Sequence, residues 1–470
     1  MNHARLVIWD EGECQRVYEA ALTVLATTGI EVKYGPALAL LSAAGARLNG
    51  TRARLDEPLV AQALASAPRT WTLRSRGRDQ VVELADGAGP YYGTGPDCIY
   101  TRDPDTGERR RGLLADVEAL AAFQENLPNI DFVMSMTLPD DASTDVSQFA
   151  AMLAGTRKPL VMSSAQSGEH LRPMHEMATL CGEAASFACL TMSSAPLSHD
   201  GDALSKVMVC AELGIPLISA SAPSAGATSP CTVTSGIVTG LAETLSALVI
   251  HQLTKPGAPF VSGVGVAVLD LRTAADNYVT PECFGGMQAC TDLNRYFGLP
   301  SWSYSGVSDS KMQDEQQAAD SAITTVLGSL SRATMLHDVG YCEMGMQSSY
   351  ESIAIGDELA GFARAFMRDV PVDDEALALD EIDAVGPGGN HLNRPYTRKH
   401  HRSFWRASLF DHTVYDRWAT NGSQTMGERL KAKVAELRAQ PRAFLIDVAM
   451  RSQLDRIAAA VEEKYQATGT

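Results

Sequence analysis

Two aromatic residues in the C-terminal half of the chain have the spacing of a ligand-binding pair. Trp302 and Tyr304 lie two residues apart in a short apolar segment, so on a β-strand their side chains share one face. If that face points inward, the rings offer π-faces to a ligand cation, and quaternary ammonium groups are the usual guests of such sites. If it points outward, the rings pack beneath helices as ordinary core aromatics.

Polar residues at the end of the next apolar segment extend this candidate site. His337 and Asp338 interrupt that segment, and Glu343 follows it. The carboxylates could supply negative charge beside a cation or act as acid or base, and His337 could bind a carboxylate. A buried, hydrogen-bonded His–Asp pair is the structural alternative. Asp97, three residues after the apolar segment Tyr91–Thr94, could add another carboxylate. The predicted substrate pocket contains Asp97, Trp302, Tyr304, His337, Asp338 and Glu343.

The densest polar segment is Ser308-Asp-Ser-Lys311, which precedes a long helical pattern. Ser308 or Asp309 could cap that helix. Alternatively, Asp309 and Lys311 reach the mouth of the site and orient a substrate or partner. The residues predicted at this mouth or in partner contact are Ser308, Asp309, Lys311, Gln317 and His391.

The histidine and cysteine spacings do not predict a metal site. His170 and His175 are five residues apart, which fits one helical face poorly, and no C-x-x-C occurs. Glu243 lies inside a long apolar helical pattern, where we expect a hydrogen-bonded structural role and not catalysis.

Short apolar segments alternate with helical patterns from residue 91 onward, which is typical of βαβ units with a buried parallel sheet. Eight such strands predict a (β/α)8 TIM barrel, whose active site would lie at the C-terminal ends of the strands. A doubly wound open sheet is the alternative, but no G-x-G-x-x-G follows the first strand. The predicted strands are Tyr91–Thr94, Ile130–Leu138, Pro159–Ser164, Phe187–Met192, Ile215–Ser221, Pro259–Val264, Ser301–Tyr304 and Thr334–Val339.

The barrel is expected to span residues 86–370, between an N-terminal helical cap with a hairpin (1–85) and a C-terminal helical extension (371–470). The 470 residues include 39 Lys and Arg and 56 Asp and Glu, for a net charge of −17, which disfavours nucleic-acid binding. The N-terminus resembles no secretory signal, and the longest apolar stretch, Gly257–Leu269, is too short to cross a bilayer. Together with nine scattered cysteines, these features predict a cytoplasmic protein.

Several sequence blocks resemble the trimethylamine methyltransferase family, in its branch without pyrrolysine. The resemblance covers nearly the whole chain. Its most specific blocks are Leu127-Pro-Asn-Ile-Asp-Phe132, Ala222-Pro-Ser-Ala-Gly-Ala-Thr-Ser-Pro230, Ser308-Asp-Ser-Lys-Met-Gln-Asp314 and Gly386-Pro-Gly-Gly389, followed by His391, Thr397, His400 or His401, and Phe404-Trp405.

This resemblance implies a (β/α)8 barrel that moves a methyl group to the cobalt of a separate corrinoid protein. No cofactor is expected to bind the chain tightly. The founding enzyme carries pyrrolysine near the end of the eighth strand, where this sequence has His337-Asp-Val-Gly340. We therefore expect a substrate that is already quaternary, such as glycine betaine or a related betaine, because it leaves as a neutral amine.

Two other functions are compatible with the sequence: a barrel methyltransferase with another acceptor, such as a folate, and a non-catalytic sensor of quaternary amines. For the transferase, the chemistry predicts a pocket of aromatics and few carboxylates, with a basic or amide group for the far end of the substrate. By analogy with other acidic barrels that carry long extensions, we also expect a homo-oligomer.

Overall fold

The computed structural model describes residues 4–142, 144–163, 165–440 and 446–468. Its N-terminal part begins with α1, which is capped reciprocally by Asp10 and Glu13: each side chain accepts the other residue's backbone N–H. The predicted hairpin is present as an antiparallel strand pair at the end of this part. The elements are α1 (Glu11–Thr27), β1 (Ile30–Val32), α2 (Gly35–Ala43), β2 (Arg47–Asn49), β3 (Arg52–Arg54), α3 (Glu57–Ser66), β4 (Thr70–Arg74) and β5 (Val81–Ala85).

The central part alternates strands and helices, as the sequence pattern predicted. Its elements up to residue 254 are β6 (Tyr91–Thr94), β7 (Tyr100–Arg102), β8 (Arg109–Arg111), α4 (Leu114–Glu125), α5 (Asp145–Gly155), β9 (Leu160–Met162), α6 (Gly168–Leu180), β10 (Phe187–Met192), β11 (Ser198–His199), α7 (Gly201–Leu213), β12 (Leu217–Ser221), β13 (Ser224–Ala225) and α8 (Val233–Thr254). A 3-10 turn, Ala184–Ser186, precedes β10.

The second half of the central part continues the alternation. Its elements are β14 (Phe260–Val264), β15 (Ala267–Asp270), β16 (Ala275–Asp276), α9 (Pro281–Phe297), β17 (Trp302–Tyr304), α10 (Glu315–Ser331), β18 (Met335–Val339), β19 (Tyr341–Cys342), β20 (Gln347–Ser348) and α11 (Tyr350–Phe366). Helix α10 is capped by the side chain of Asp314, which accepts the N–H of Gln317, so neither Ser308 nor Asp309 is the cap.

Parallel pairing connects all the predicted strand segments. Strands β9, β10, β12 and β14 form one parallel sheet, and β6, β18 and β17 form another. Isolated parallel bridges link the two: Gly93 with Phe132, Val133 with Leu160, and Ser262 with Ser301. The chain is therefore mixed α/β, with the last of these strands beside the first.

The predicted strand Ile130–Leu138 is wrong as a continuous strand, because it pairs only through isolated bridges. Two local features interrupt it. The carboxylate of Asp131 accepts the N–H of Tyr92 at 2.7 Å, where a strand would place a backbone carbonyl. Met136 adopts a positive φ of 59°, which ends the extended conformation. Ser164, the predicted end of the third strand, lies outside the described residues.

An interior core lies among the strands, separate from the apolar layer that joins strands to helices. It combines strand residues such as Phe132, Ile218 and Val261 with Leu73 and Leu84 of the β4–β5 hairpin. The hairpin therefore packs against the interior of the parallel strands from their N-terminal ends. Side chains fill this end of the molecule, which leaves the other end for a site.

Helix α8 is an apolar segment of 22 residues. The prediction that Gly257–Leu269 is the longest apolar stretch was therefore wrong. Among the described residues, this helix is long and apolar enough to cross a membrane. However, 72% of its most apolar window is buried inside the structure, which is typical of a core helix. Helices α1, α3 and α7 pack against it.

The C-terminal part is helical, as predicted. Helix α16 packs on α11, and α17 packs on α5 and α6. The residues of the four short helices that precede α16 are all exposed or half-buried. The elements are α12 (Asp374–Leu377), α13 (Leu379–Val385), α14 (Pro395–His400), α15 (Tyr415–Thr420), α16 (Met426–Ala439) and α17 (Val448–Thr468). The division at residues 85 and 370 stays a prediction.

Candidate active site

A cavity of about 310 Å³ lies at the C-terminal ends of β10, β12, β14, β17 and β18. Small residues at the strand ends, such as Ala220 and Gly263, leave this space open. Aromatic, thioether and acidic groups of the wall come from Met192, Asp276, Tyr278, Met287, Trp302, Tyr304, His337, Asp338 and Tyr341. Leu190, Val266, Asn277 and Cys283 also line it.

Trp302 and Tyr304 both line the cavity, which answers the question of the face they occupy. The indole of Trp302 stacks on the imidazole of His337, with 4.2 Å between ring centroids and 12° between ring planes. Phe132 packs against the indole at a tilt, at 5.7 Å. One indole face is therefore covered by His337, so a bound ligand would meet this stacked pair and not an isolated tryptophan.

Tyr304 belongs to an edge-to-face cluster. Its ring centroid lies 5.9 Å from that of Tyr278 and 5.3 Å from that of Phe284, and its hydroxyl donates to the carbonyl of Tyr278 at 3.1 Å. This bond fixes the loop that brings Tyr278 to the cavity. Burial raises the pKa of Tyr304 well above its ordinary value, as it does the pKa of Tyr278 and of Tyr341. All three rings therefore stay neutral at physiological pH.

A β-bulge positions His337 and Asp338. Two residues of β18, His337 and Asp338, stand opposite the single residue Gly93 of β6. Asp338 has a positive φ of 69°, a conformation that costs energy outside glycine. Position 93 requires glycine, because a Cβ there would lie 2.0 Å from the ring of Phe132. The bulge places both polar side chains in the cavity wall.

The two side chains do not satisfy each other. His337 Nδ1 lies 2.6 Å from Asp338 Oδ1, which is an ion-pair distance, but the angles at the two atoms do not fit a hydrogen bond. Among the described residues neither atom has another hydrogen-bond partner. The Asp338 side chain is only 3% exposed. A buried carboxylate oxygen without a partner is costly, and a bound cation would reduce that cost.

Asp97 lies beside the cavity and not in its wall, which its neighbour Pro96 joins. Its carboxylate accepts from the hydroxyls of Ser135 and Ser163 and from the amide of Gln148. Its backbone N–H donates to the hydroxyl of Ser135 at 3.1 Å. Asp97 thereby joins the ends of three neighbouring parallel segments; its predicted contact with substrate stays a prediction.

Glu343 also lies outside the cavity wall. Its carboxylate receives two hydrogen bonds from Arg109, both at 2.9 Å, and the guanidinium of Arg109 covers the ring of Tyr100 at 3.4 Å. The backbone N–H of Glu343 donates to Ser310. The structure thus brings Glu343 to the segment of Ser308–Lys311, at the same end of the strands, and gives it a cationic partner of its own.

The segment Ser308–Lys311 is held by its neighbours. The Ser308 hydroxyl donates to Asp320 at 2.9 Å, and the Asp309 carboxylate accepts the N–H groups of Tyr278 and Val279. Asp309 therefore supports the loop that carries Tyr278. The exposed ammonium of Lys311 donates to the carbonyl of Asp309.

The other two residues predicted at the mouth lie elsewhere. Gln317 is fully buried inside α10, where it donates to Ser321 and accepts from Gln313. His391 is exposed in the C-terminal part, and its carbonyl accepts from the hydroxyl of Thr397. Neither lines the cavity. A partner contact at either residue stays a prediction.

Sequence reasoning missed Asp276, Asn277, Tyr278 and Tyr341. Asp276 ends the two-residue strand β16, Asn277 and Tyr278 follow it, and Tyr341 follows the bulged strand, so strand periodicity gave no signal for them. Gly95 did give one: a Cβ at this position would lie 1.9 Å from the Tyr341 ring, so the glycine makes room for that side chain. The Tyr341 hydroxyl donates to the carbonyl of Pro96.

Glu243 has the structural environment expected for it. It is fully buried in α8, and its carboxylate accepts from the hydroxyls of Ser193 and Ser221 and from the N–H of Leu197. Burial raises the pKa of Glu243. The residue ties the ends of β10 and β12 together behind the cavity. In the described part of the chain, no group of three His, Cys, Asp or Glu side chains has the geometry to hold a metal ion.

Known proteins are similar to this chain over nearly its whole length. Residues 1–465 match the family model described as trimethylamine methyltransferase (MTTB). A glycine betaine methyltransferase of Desulfitobacterium hafniense (strain Y51) is 31% identical over 431 residues, covering 89% of each chain. A trimethylamine methyltransferase MttB of Methanosarcina barkeri is 27% identical, covering 93% of this chain and 91% of the relative.

Solved structures of more distant enzymes share the fold. The crystal structure of the Methanosarcina barkeri monomethylamine methyltransferase (MtmB) superposes with a TM-score of 0.54 at 12% identity, covering 97% of this chain and 90% of the other. A hydroxylamine complex of MtmB gives 0.55 at 11% identity. The fold is thus that of the methylamine methyltransferases, and the sequence relatives support an enzyme of the methyltransferase class.

Proposed function

Because the chain belongs to the trimethylamine methyltransferase family, we propose that it moves a methyl group from a quaternary ammonium compound to the Co(I) of a partner corrinoid protein. The observation that carries this proposal is the cavity at the strand ends. Its wall combines aromatic side chains with the buried Asp338, whose Oδ1 lacks a hydrogen-bond partner among the described residues. Such a wall suits a cation.

The chemistry of a quaternary ammonium fits a site that offers little acid catalysis. The electron pair of Co(I) forms the new Co–C bond, and the pair of the broken C–N bond leaves with a neutral tertiary amine. No proton is needed at the leaving nitrogen. The protein then has to hold the cation and leave one methyl group accessible in line with the cobalt, which is catalysis by positioning.

We also propose that the parallel segments form a closed (β/α)8 barrel. Support comes from the pairing of β18 with β6 and from the bridges that connect β6 to β9 and β14 to β17. In such a barrel the cavity lies at the C-terminal face, where barrel enzymes have their active sites.

The corrinoid partner would dock at the same face. Met192 is both exposed and part of the cavity wall, so the cavity reaches the surface there. Exposed apolar side chains are frequent at protein interfaces. Those that lie at or after the ends of five parallel segments are Leu138, Met192, Leu271, Met312 and Met346. They support a partner that approaches the open end of the cavity.

The roles of individual residues are proposals of the same kind. We assign Trp302, Tyr304, His337 and Asp338 to direct contact with the substrate. Asp97 and Glu343 would organise the surrounding loops, and Asp309 would position Tyr278. A cytoplasmic location and self-association stay predictions.

The test is methyl transfer in a reconstituted mixture. The protein, a corrinoid protein reduced to Co(I), and one of glycine betaine, choline, carnitine, proline betaine or dimethylsulfoniopropionate are combined, and the absorbance of methylcobalamin is followed. We expect this absorbance with at least one quaternary amine. An unchanged spectrum across the panel contradicts the proposal, and methyl transfer to a folate without any corrinoid would favour the alternative acceptor.

A further inference from the structure

The charges of the cavity narrow the choice of substrate. We infer that this site selects a quaternary ammonium compound that carries a net positive charge and has no carboxylate, such as a hydroxyalkyl-trimethylammonium, over a zwitterionic betaine. This inference rests on the proposed function, since it concerns the methyl donor of the same site. It differs from the expectation that the sequence raised, which was a betaine.

Two acidic side chains give the cavity negative charge. Asp338 and Asp276 both line the cavity, and both act electrostatically on the buried phenol of Tyr278, so their fields overlap. Asp276 accepts a hydrogen bond from Ser224 at 2.5 Å. Apart from the His337 imidazole at 2.6 Å, the Oδ1 of Asp338 has no hydrogen-bond partner among the described residues, so it can still receive a cation. Two carboxylates in one small cavity favour a ligand with a net positive charge.

Cationic side chains do not offset these two carboxylates. No lysine or arginine is among the described residues that line the cavity. Arg109, which contacts Glu343 near the segment of Ser308–Lys311, is occupied by that carboxylate, and the exposed Lys311 donates to the carbonyl of Asp309. A betaine carboxylate would therefore enter the cavity without a lysine or arginine partner and close to two like charges, which is unfavourable.

His337 does not change this conclusion. A histidine attracts a carboxylate when it is protonated, but Asp338 lies 2.6 Å from His337 Nδ1 and would balance that charge. The imidazole also stacks on Trp302. The pair as a whole is then neutral or negative, and it does not provide a carboxylate site.

The amide of Asn277 gives the far arm of the substrate a neutral partner. Asn277 lines the cavity next to Asp276, and its backbone carbonyl accepts from the thiol of Cys283. An asparagine amide and a carboxylate can both bond to a substrate hydroxyl, since the hydroxyl donates as well as accepts. A hydroxyl at the far end thus fits this part of the wall, whereas a second carboxylate does not.

The experiment compares two ligands that differ in this one group. Choline and glycine betaine share the trimethylammonium and differ in a hydroxymethyl against a carboxylate. Binding of each to the full-length protein is measured by calorimetry without a corrinoid partner, and methyl transfer is then measured with one. We expect choline to bind at least about tenfold more tightly and to be the better methyl donor.

Two variants test the cause of the preference. Asp338→Asn keeps the shape of the side chain but removes the charge, and should reduce the choline-to-betaine affinity ratio by about tenfold. Asp276→Asn, which can still accept from Ser224, should reduce it in the same direction. The control is Asp56→Asn. Asp56 is exposed in the N-terminal part, where it pairs with Arg47, so this variant removes an equal charge and should leave the affinity ratio unchanged.

The outcomes separate this inference from the proposed function. If glycine betaine binds as well as choline and donates its methyl group, the inference is overturned and the methyltransferase proposal stands. If choline is preferred but both cavity variants keep the wild-type ratio, the assignment to the two carboxylates is wrong. If neither these ligands nor the rest of the panel yields methylcobalamin, the proposed function itself fails.

Discussion

At the scale of single residues, Asp338 combines a left-handed backbone, a bulged strand and an unpartnered buried oxygen. Each of these is unfavourable for stability, and together they indicate a functional constraint. In the proposed function, a quaternary substrate would carry its positive charge beside this carboxylate. In the transition state that charge is partly lost, because the leaving amine becomes neutral. Asp338 should therefore favour substrate capture more than the chemical step.

Removal of this charge in Asp338→Asn should therefore affect KM more than kcat. The KM for the quaternary amine should rise about tenfold, while kcat stays within about twofold of wild type or increases. Steady-state rates with the corrinoid protein in excess provide the measurement, and Asp56→Asn is the control. A large fall in kcat at unchanged KM would mean that Asp338 acts in the chemical step.

At the scale of elements, Glu243 connects helix α8 with the loops after two strands. Three donors converge on its carboxylate: the hydroxyls of Ser193 and Ser221 and the N–H of Leu197. Because these donors lie at the ends of β10 and β12, the site wall depends on a residue that lies outside it. The predicted role of Glu243 is structural support.

Substitutions of Glu243 should therefore affect stability. Glu243→Ala leaves buried donors without an acceptor and should lower the free energy of unfolding by about 3 kcal/mol. Glu243→Gln keeps an acceptor for the N–H of Leu197 and should lose less than half of that. Urea unfolding followed by circular dichroism compares the two, and an equal loss in both variants would contradict this account.

Two buried histidines, His251 within α8 and His199 bonded to Ser246 of that helix, predict an acid-sensitive stability. Burial lowers the pKa of His199 to about 4 and that of His251 to about 3, so both are neutral in the folded state. Unfolded histidines protonate near pH 6.5, so this part of the stability is complete above that pH and is lost as the pH falls toward 4. Each histidine should account for about 2 kcal/mol between pH 6.5 and 5.

The double variant His199→Gln/His251→Gln isolates this effect. Carboxyl groups with raised pKa, such as Glu243, change stability with pH in the opposite direction, but they are common to both proteins. The difference in unfolding free energy between wild type and variant should thus shrink as the pH falls from 7 to 5. A constant difference over this range would show that the histidines do not titrate on unfolding.

The elements were largely predictable from the sequence, because buried parallel strands are continuous apolar segments. Strands β6 and β10 have the predicted bounds, and β12, β14 and β18 differ by one or two residues at their starts. The segment Ile130–Leu138 has the same apolar composition but is not a strand. There a side chain, Asp131, replaces a backbone acceptor, and composition alone does not reveal this.

The site was less predictable than the strands. Trp302, Tyr304, His337 and Asp338 were placed at the cavity by their positions at strand ends. Tyr278 and Asp276 reach the same cavity from a loop whose path depends on Asp309, a contact 31 residues away in sequence for the Tyr278 N–H. Asp97 and Glu343 lie close to the site, but local ion pairs and hydroxyl groups take up their carboxylates.

At the scale of the whole molecule, the two ends of the parallel strands are used differently. The β4–β5 hairpin packs into the interior core at the N-terminal ends, whereas the cavity lies at the C-terminal ends. The corrinoid partner of the proposed function would have to approach the second end. The exposed apolar side chains there are the surface that we expect it to contact.

Charged substitutions on that rim should separate docking from substrate binding. Leu271→Asp and Met312→Asp change exposed side chains that do not line the cavity. Each should raise the KM for the corrinoid protein by about fivefold or more and leave the Kd of the quaternary amine unchanged. Val370→Asp, at a more exposed position after α11, is the control. Identical kinetics in all three variants would place the docking surface elsewhere.

The central claim is methyl transfer from nitrogen to cobalt, and an isotope-labelled single turnover tests it most directly. The protein is mixed with a corrinoid protein in the Co(I) state and a quaternary amine that carries ¹³C in its N-methyl groups. We predict one labelled methyl on cobalt for each demethylated amine released, with no transfer when this chain is omitted. An unlabelled cobalt centre beside intact quaternary amine would contradict the account.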